Sequence, residues 1–149
     1  MQINKHPLSK IEFEEIYSKV PRLTVEIIVN GELGVYLTKR NIEPCKGMWH
    51  LPGGTVRFGE KLTEAVSRIS KRELGIEVFD TELLGYIEYP SHYNQGLDSP
   101  VGIAFMIKSF KGKVKINNEA SDSKWFKVLP KNMHEEQIDF LKCNIKNFL

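Results

Sequence analysis

Cysteine is scarce in this chain. Cys45 and Cys143 are the only two among 149 residues. A small secreted scaffold stapled by disulfides carries more. The sequence also lacks a CxxC pair and any run of His and Cys at zinc-ligand spacing, which argues against a structural zinc site. Long apolar runs are missing too. A membrane-spanning helix needs roughly 20 consecutive apolar residues, and stretches such as Val101–Ile107 fall far short. The opening residues, MQINKHPLSK, contain no apolar core of a secretion signal, so a cytoplasmic location is expected. An excess of one charge is absent as well. Lys and Arg number 21 against 19 Asp and Glu, a net charge of +2. A nucleic-acid-binding face would be more densely basic, so neither nucleic acid nor membrane is expected as a partner. What is present is an ordinary globular mixture, 41% hydrophobic and 27% charged. Its length suits one domain spanning residues 1–149.

The pattern alternates between helix and strand, with strands dominant. Ser9 and Glu12 have capping-box spacing at the start of a short helix that Pro21 ends. Leu23–Val29 is rich in β-branched residues and reads as a strand. Asn30-Gly31 reads as a turn before a second strand, Gly34–Thr38. Pro52-Gly53-Gly54 reads as a tight turn. Residues 60–74 are free of Gly and Pro and read as a helix stopped by Gly75. Ile76–Tyr89 is strand-like with a break near Asp80, residues 90–100 form a polar loop, and Val101–Phe110 is a buried strand. Lys113–Ile116 and Trp125–Val128 read as short strands, and the chain closes with a helix after Pro130. The expected fold class is mixed α/β (α+β), a sandwich of helices around a mixed sheet.

The chemistry concentrates in one helix. Leu62, Val66 and Ile69 form an apolar stripe, and the next member of that stripe is Glu73. A carboxylate on a buried face persists when it is paired, protonated or bound to a metal. An Arg partner or a frayed last turn would explain it without function. The glycine pair just upstream offers a second donor, because backbone without a Cβ can approach a cation or a phosphate closely. Magnesium takes oxygen ligands and commonly keeps only one or two protein carboxylates alongside water and substrate phosphates.

The run Gly54-x5-Glu60-x7-Arg68, followed by Glu73, Gly75 and Ile76, resembles the signature box of the Nudix hydrolases, and the flanking Trp49-x-Leu-Pro-Gly-Gly54 fits as well. The resemblance implies an α/β/α sandwich that hydrolyses nucleoside diphosphate derivatives with Mg2+ or Mn2+. It implies that the Gly53 carbonyl and Glu73 are metal ligands. It also implies that Arg68 holds the helix acids by ion pairing, and that Gly54, Glu60 and Gly75 shape the loop–helix–loop. Many relatives are homodimers, which is an implication of the resemblance alone.

Two acids usual in that box are missing, replaced by Ile69 and Arg72. The poorer negative charge offsets repulsion between clustered cations less well, so one tightly held metal is expected rather than three. The GDP-mannose mannosyl hydrolase branch shows a similar loss, cuts a sugar carbon–oxygen bond and uses one metal. Glu26 and Arg40 resemble that branch's strand acid and arginine, which assist departure of the nucleoside diphosphate. Thr55 departs from the branch's arginine, for which Arg57 is the candidate substitute. The branch's Gln-His pair is replaced by Glu119-Ala120. Glu119 would restore one acid as metal ligand or base and pulls toward ordinary pyrophosphate cleavage, so the bond cut stays open.

Other residues carry bland readings beside functional ones. Glu26 also suits a solvated strand face. Arg40 suits bidentate phosphate recognition. His50 points either into the site or into the core. His92 and Tyr93 sit in a polar loop and read either as substrate-binding residues whose rings stack on a base or as part of an ordinary surface loop. His134 reads as a helix cap or an exposed residue, Trp49 and Trp125 as packing, and both cysteines as unpaired and inert. The expectation is a hydrolase of nucleoside diphosphate derivatives with nucleotide sugars first. Generic cleavage of triphosphates or dinucleotides, and a binding module with weak turnover, stand as alternatives.

Overall fold

Strand β1 (Arg22–Ile28) is the axis on which the other elements are arranged. The computed structural model describes residues 8–115 and 120–148, and every β1 residue from Thr24 to Ile28 is buried. The strand runs parallel to β7 (Pro100–Lys111) and antiparallel to β5 (Gly53–Thr55), while β6 (Glu77–Glu88) pairs antiparallel with β7. The result is a mixed sheet in the order β5-β1-β7-β6. A second sheet is built on β3 (Gly34–Arg40), which pairs with β2 (Asn30–Gly31), β4 (Trp49–His50) and β8 (Ala120–Phe126).

Side chains alternate across a strand, so β1 feeds two cores. Val25 and Ile27 pack with Ala65, Val66, Ile69 and Leu74 from the α2 side, α2 being Leu62–Ile69 and the turn after it. Ile28 packs with Leu37, Trp49, Leu51 and Ile87, and with Leu141 and Ile145 from the α4 side, α4 being Glu135–Asn144. Helices thus cover both sides of the sheets, as the mixed α/β reading expects. Each fully buried Ile or Leu contributes roughly 1.5–3 kcal/mol. Two further helices are short. The first, α1 (Lys10–Tyr17), has the expected capping box, with the Glu12 N–H donating to Ser9 Oγ at 3.2 Å and the Ser9 N–H to Glu12 Oε1 at 3.0 Å. The other, α3 (Pro90–Tyr93), interrupts the polar loop.

The structure departs from the sequence reading at several boundaries. Asn30 and Gly31 are paired with Val35 and Gly34, so the turn falls at Glu32 and Leu33. Gly34 is the residue the hairpin requires. Its φ is +104°, and a Cβ there would lie 1.9 Å from the Phe126 carbonyl oxygen. Gly53–Thr55 is a strand rather than a turn, because two glycines let β5 lie flat against β1. The helix expected over 60–74 starts at Leu62 and widens into a π-helical turn, Ser70–Leu74, before Gly75 stops it at φ +68°. Lys113–Lys115 belong to no strand, and Ile116 lies outside the described residues. The last strand runs from Ala120 to Phe126 rather than from Trp125. The break expected near Asp80 is present as register shifts on either side of that residue.

Candidate active site

Glu26 sits mid-strand on β1 on the α4 side, 7% exposed, with its carboxylate laid across two glycines. A Cβ on Gly102 would fall 2.5 Å from Glu26 Oε1, and one on Gly53 would fall 2.8 Å from Oε2. Only residues without side chains at these two flanking positions leave room for an acid here. The Tyr89 hydroxyl donates to Glu26 Oε1 at 2.9 Å, and Gln137 Nε2 donates to the Tyr89 hydroxyl at 2.9 Å. Gln137 is held in turn by the Leu51 N–H, which donates to its Oε1 at 2.9 Å. Burial pushes the Glu26 carboxyl up to about 7, against the opposing effects of the Tyr89 and Thr24 hydroxyls and of Arg22. Burial likewise pushes the Tyr89 hydroxyl well above its ordinary range.

Glu73 lies in the π-helical turn and is 9% exposed. Its Oε1 accepts from Arg72 Nη2 at 3.1 Å. The Arg72 side chain is 48% exposed, so this pair is open to exchange with a solvated cation. Gly53 approaches the same cleft from β5. Ile27 N–H donates to the Pro52 carbonyl and Val56 N–H to the Leu23 carbonyl, so Gly53 and Thr55 occupy non-hydrogen-bonded positions opposite β1. Their carbonyls therefore point away from β1 toward the open edge of the sheet. The Thr55 carbonyl accepts there from Arg68 Nη2 at 2.9 Å. Arg68 also makes a two-pronged contact with Glu60, at 2.7 and 2.9 Å. That contact lowers the Glu60 pKa. Arg68 thus braces the loop before α2 rather than an acid of the helix.

The opposite wall comes from the loop after β3 and from α3 and α4. Arg40 donates to the Pro44 carbonyl and its backbone closes the loop through Met48 and Gly47. The loop presents Cys45, which has φ +65°. The rings of His92 and His134 lie 4.9 Å apart, and His92 Nδ1 lies 3.6 Å from an Asp98 oxygen. Burial lowers the His134 pKa to about 4, helped by His92 and His50, so its ring is neutral near pH 7. Burial would raise Asp98, but His92 and the Arg22 guanidinium outweigh it and hold that carboxyl at about 2.

Glu26, Gly53, Glu73, Arg40, His92 and His134 border one cleft of about 1650 Å³. A model of the NUDIX domain matches residues 20–142 of the chain. The chain belongs to the Nudix hydrolase family. Low-salt glycan biosynthesis protein Agl8 of Haloferax volcanii is 33% identical over 127 residues, covering 83% of this chain and 81% of that one. An ADP-ribose pyrophosphatase of Methanocaldococcus jannaschii is 33% identical over 113 residues, covering 74% of this chain and 66% of its own. A MutT Nudix hydrolase from Burkholderia pseudomallei superposes with a TM-score of 0.76 at 24% identity, covering 85% of this chain and 99% of that one, a likeness of fold.

The cleft gathers most of the residues singled out in the sequence. Gly53, Gly54, Arg57, Arg68 and Glu73 line the cleft, joined by Glu26, Arg40, His92 and Tyr93. Glu60 stands behind Arg68, and Gly75 caps the helix. Glu119 lies outside the described residues. Tyr89, Gln137 and Asp98 escaped the sequence reading, because their roles arise from contacts with residues far away in the chain. One reading is corrected. His134 is at the N-cap position of α4 without a side-chain capping bond, and it lines the cleft. Both cysteines are unpaired, as expected, and the fold brings Cys45 beside His92 and His134, with one ligand atom of each within 4.8 Å of the others.

The oxygen-only donors at the Gly53 edge and at Glu73 suit a hard divalent cation such as Mg2+ or Mn2+. Glu73 is buried enough to need a positive partner, and its present one is an exposed guanidinium that can swing aside.

Proposed function

We propose that the protein is a divalent-cation-dependent hydrolase of nucleoside diphosphate derivatives that prefers nucleotide sugars. The observation that carries this reading is the chemistry of α2 and its last turn. Ile69 is fully buried in the core and Arg72 pairs with Glu73, so residues 69–73 offer one carboxylate where multi-metal pyrophosphate chemistry calls for several. The glycan-biosynthesis relative supports a sugar substrate.

Gly53, Glu73 and, beyond the described residues, Glu119 would hold the ion. When bound, it neutralises charge on the diphosphate and on the departing oxygen. Arg40 and Arg57 have no carboxylate partner among the described residues and line the cleft, so both are available to the diphosphate. Tyr93 is 49% exposed and offers a ring face to a base. Water adds to the sugar carbon, the carbon–oxygen bond breaks, and the electron pair leaves with the nucleoside diphosphate. Glu26 as carboxylate stabilises the positive charge developing on the sugar, and Glu119 is the proposed acceptor of the water proton.

A second reading is cleavage between the phosphorus atoms, favoured by the ADP-ribose pyrophosphatase relative. Turnover in 18O-labelled water separates the two. Label in the released sugar supports the first reading, and label in a phosphate product overturns it in favour of the second. Glu73→Gln should lower kcat about 10³-fold in either case, the loss of several kcal/mol of charge stabilisation. Undiminished activity would remove the metal assignment.

A further inference from the structure

One cluster in the cleft has a chemistry different from that of the Gly53 and Glu73 oxygens. Cys45, His92 and His134 each present one ligand atom, and the three atoms lie within 4.8 Å of one another. None is fully exposed. In a tetrahedral zinc site the bond lengths of about 2.0 Å to nitrogen and about 2.3 Å to sulfur set ligand separations of about 3.3–3.6 Å. The observed spacing needs only a small inward movement of side chains to reach them. His92 Nδ1 is buried without a hydrogen bond, and Asp98 stands 3.6 Å behind it. A carboxylate behind a histidine is the usual orienting partner of a metal-bound imidazole. The ring of His134 packs against that of His92, which places both imidazoles on the same side of the cleft wall as Cys45.

We propose that Cys45, His92 and His134 form a second metal site, for a borderline-soft cation of the Zn2+ type, with its fourth position open to the cleft. A thiolate and two imidazoles favour zinc over magnesium, whereas the carboxylate and carbonyl near Glu73 have the opposite preference. Three protein ligands with a vacant fourth position is the arrangement that lets a bound zinc take water or an oxygen of a cleft occupant. The Cys45 thiol gives up its proton to solvent as the sulfur–metal bond forms, with no change of oxidation state. The nearby Arg40 guanidinium opposes a cation here, and the thiolate formed on binding together with Asp98 offsets it.

The test uses the full chain stripped by a chelator and then titrated with Co2+, the spectroscopic substitute for Zn2+. The expected result is a thiolate-to-cobalt charge-transfer band and tetrahedral visible bands whose intensity corresponds to one Co2+ per chain at this site, both bleached by Zn2+. Cys45→Ser should remove the charge-transfer band, Cys143→Ser should keep it, and Asp98→Asn should weaken Zn2+ binding about 10–100-fold. A parallel measurement needs no variant. Zn2+, and not Mg2+, should protect Cys45 of the unaltered protein from iodoacetamide, as mapped by peptide mass. Absence of the charge-transfer band, its survival in Cys45→Ser, or equal alkylation of Cys45 with and without Zn2+ would each overturn the site. None of these readouts depends on turnover, so their failure leaves the proposed hydrolase reaction standing.

Discussion

Glu26 is placed among apolar strand neighbours with two hydroxyl groups beside it and no cation in direct contact among the described residues. Its carboxyl titrates near 7 in the folded chain, against an ordinary value of 4.5. Because the folded value is raised, the folded state binds more protons than the unfolded state between those two pH values. Stability therefore falls as pH rises through that window and stays lower above it. The difference corresponds to about 3 kcal/mol. Glu26→Gln keeps a group able to accept from Tyr89 and carries no charge, so urea unfolding at pH 8 should show it more stable than the natural chain by up to about that amount. The same substitution should remove the limb of the kcat/KM profile that rises toward pH 7, since the ionised form is the working one in the proposed reaction. A pH profile left unchanged would take Glu26 out of the chemistry. The sequence made Glu26 visible as an acid on an apolar strand. It could not separate burial from a solvated face, because that depends on Tyr89 and Gln137, which lie 63 residues from Glu26 and 48 residues from Tyr89 respectively.

At the scale of elements, the loop–helix–loop after β5 depends on Arg68. Its guanidinium ties Glu60, whose side chain is 6% exposed, to the Thr55 carbonyl. Arg68→Ala leaves that carboxylate without its partner and should cost about 3 kcal/mol, read as a lower urea midpoint. The lowered Glu60 pKa means that this contribution is present at neutral pH and is lost on acidification through the folded-state value, so the gap between variant and natural chain should narrow in acid. The strands flanking Glu26 give a second test. Gly102→Ala forces the Glu26 side chain aside and should cost about 1–3 kcal/mol. In a Glu26→Ala background most of that cost should disappear, a coupling that a double-mutant cycle measures directly. Helix and strand identities were readable here because apolar periodicity and glycine placement are local signals. The π-helical widening at Ser70–Leu74 and the strand character of Gly53–Thr55 were not, since both are set by what packs against them.

Across the whole molecule, the cleft holds more guanidinium groups than free carboxylates. Asp98 engages Arg22, Glu60 engages Arg68 and Glu73 engages Arg72, leaving Arg40 and Arg57 without carboxylates among the described residues. The box residues that create this balance, Ile69 and Arg72, were legible as departures from the family pattern. The convergence of Cys45, His92 and His134 was not, because it needs the loop after β3, α3 and α4 to meet at one wall. The balance has a consequence for ligand binding. A divalent cation at Glu73 must displace Arg72, and the released guanidinium then becomes available to the diphosphate. Cation and nucleotide should therefore bind with positive coupling, each tightening the other by the same factor. Arg72→Ala removes the competitor and should tighten Mn2+ binding in the absence of nucleotide by about fivefold, the equivalent of an exposed ion pair of about 1 kcal/mol. It should also weaken nucleoside diphosphate binding and shrink the coupling. Calorimetric titration of Mn2+ with and without nucleotide reads all three quantities. The Cys45→Ser background removes the thiolate site so that only the oxygen site is counted, and there the natural Arg72 should give one Mn2+ per chain. Mn2+ affinity unmoved by Arg72→Ala would mean that the arginine does not guard Glu73.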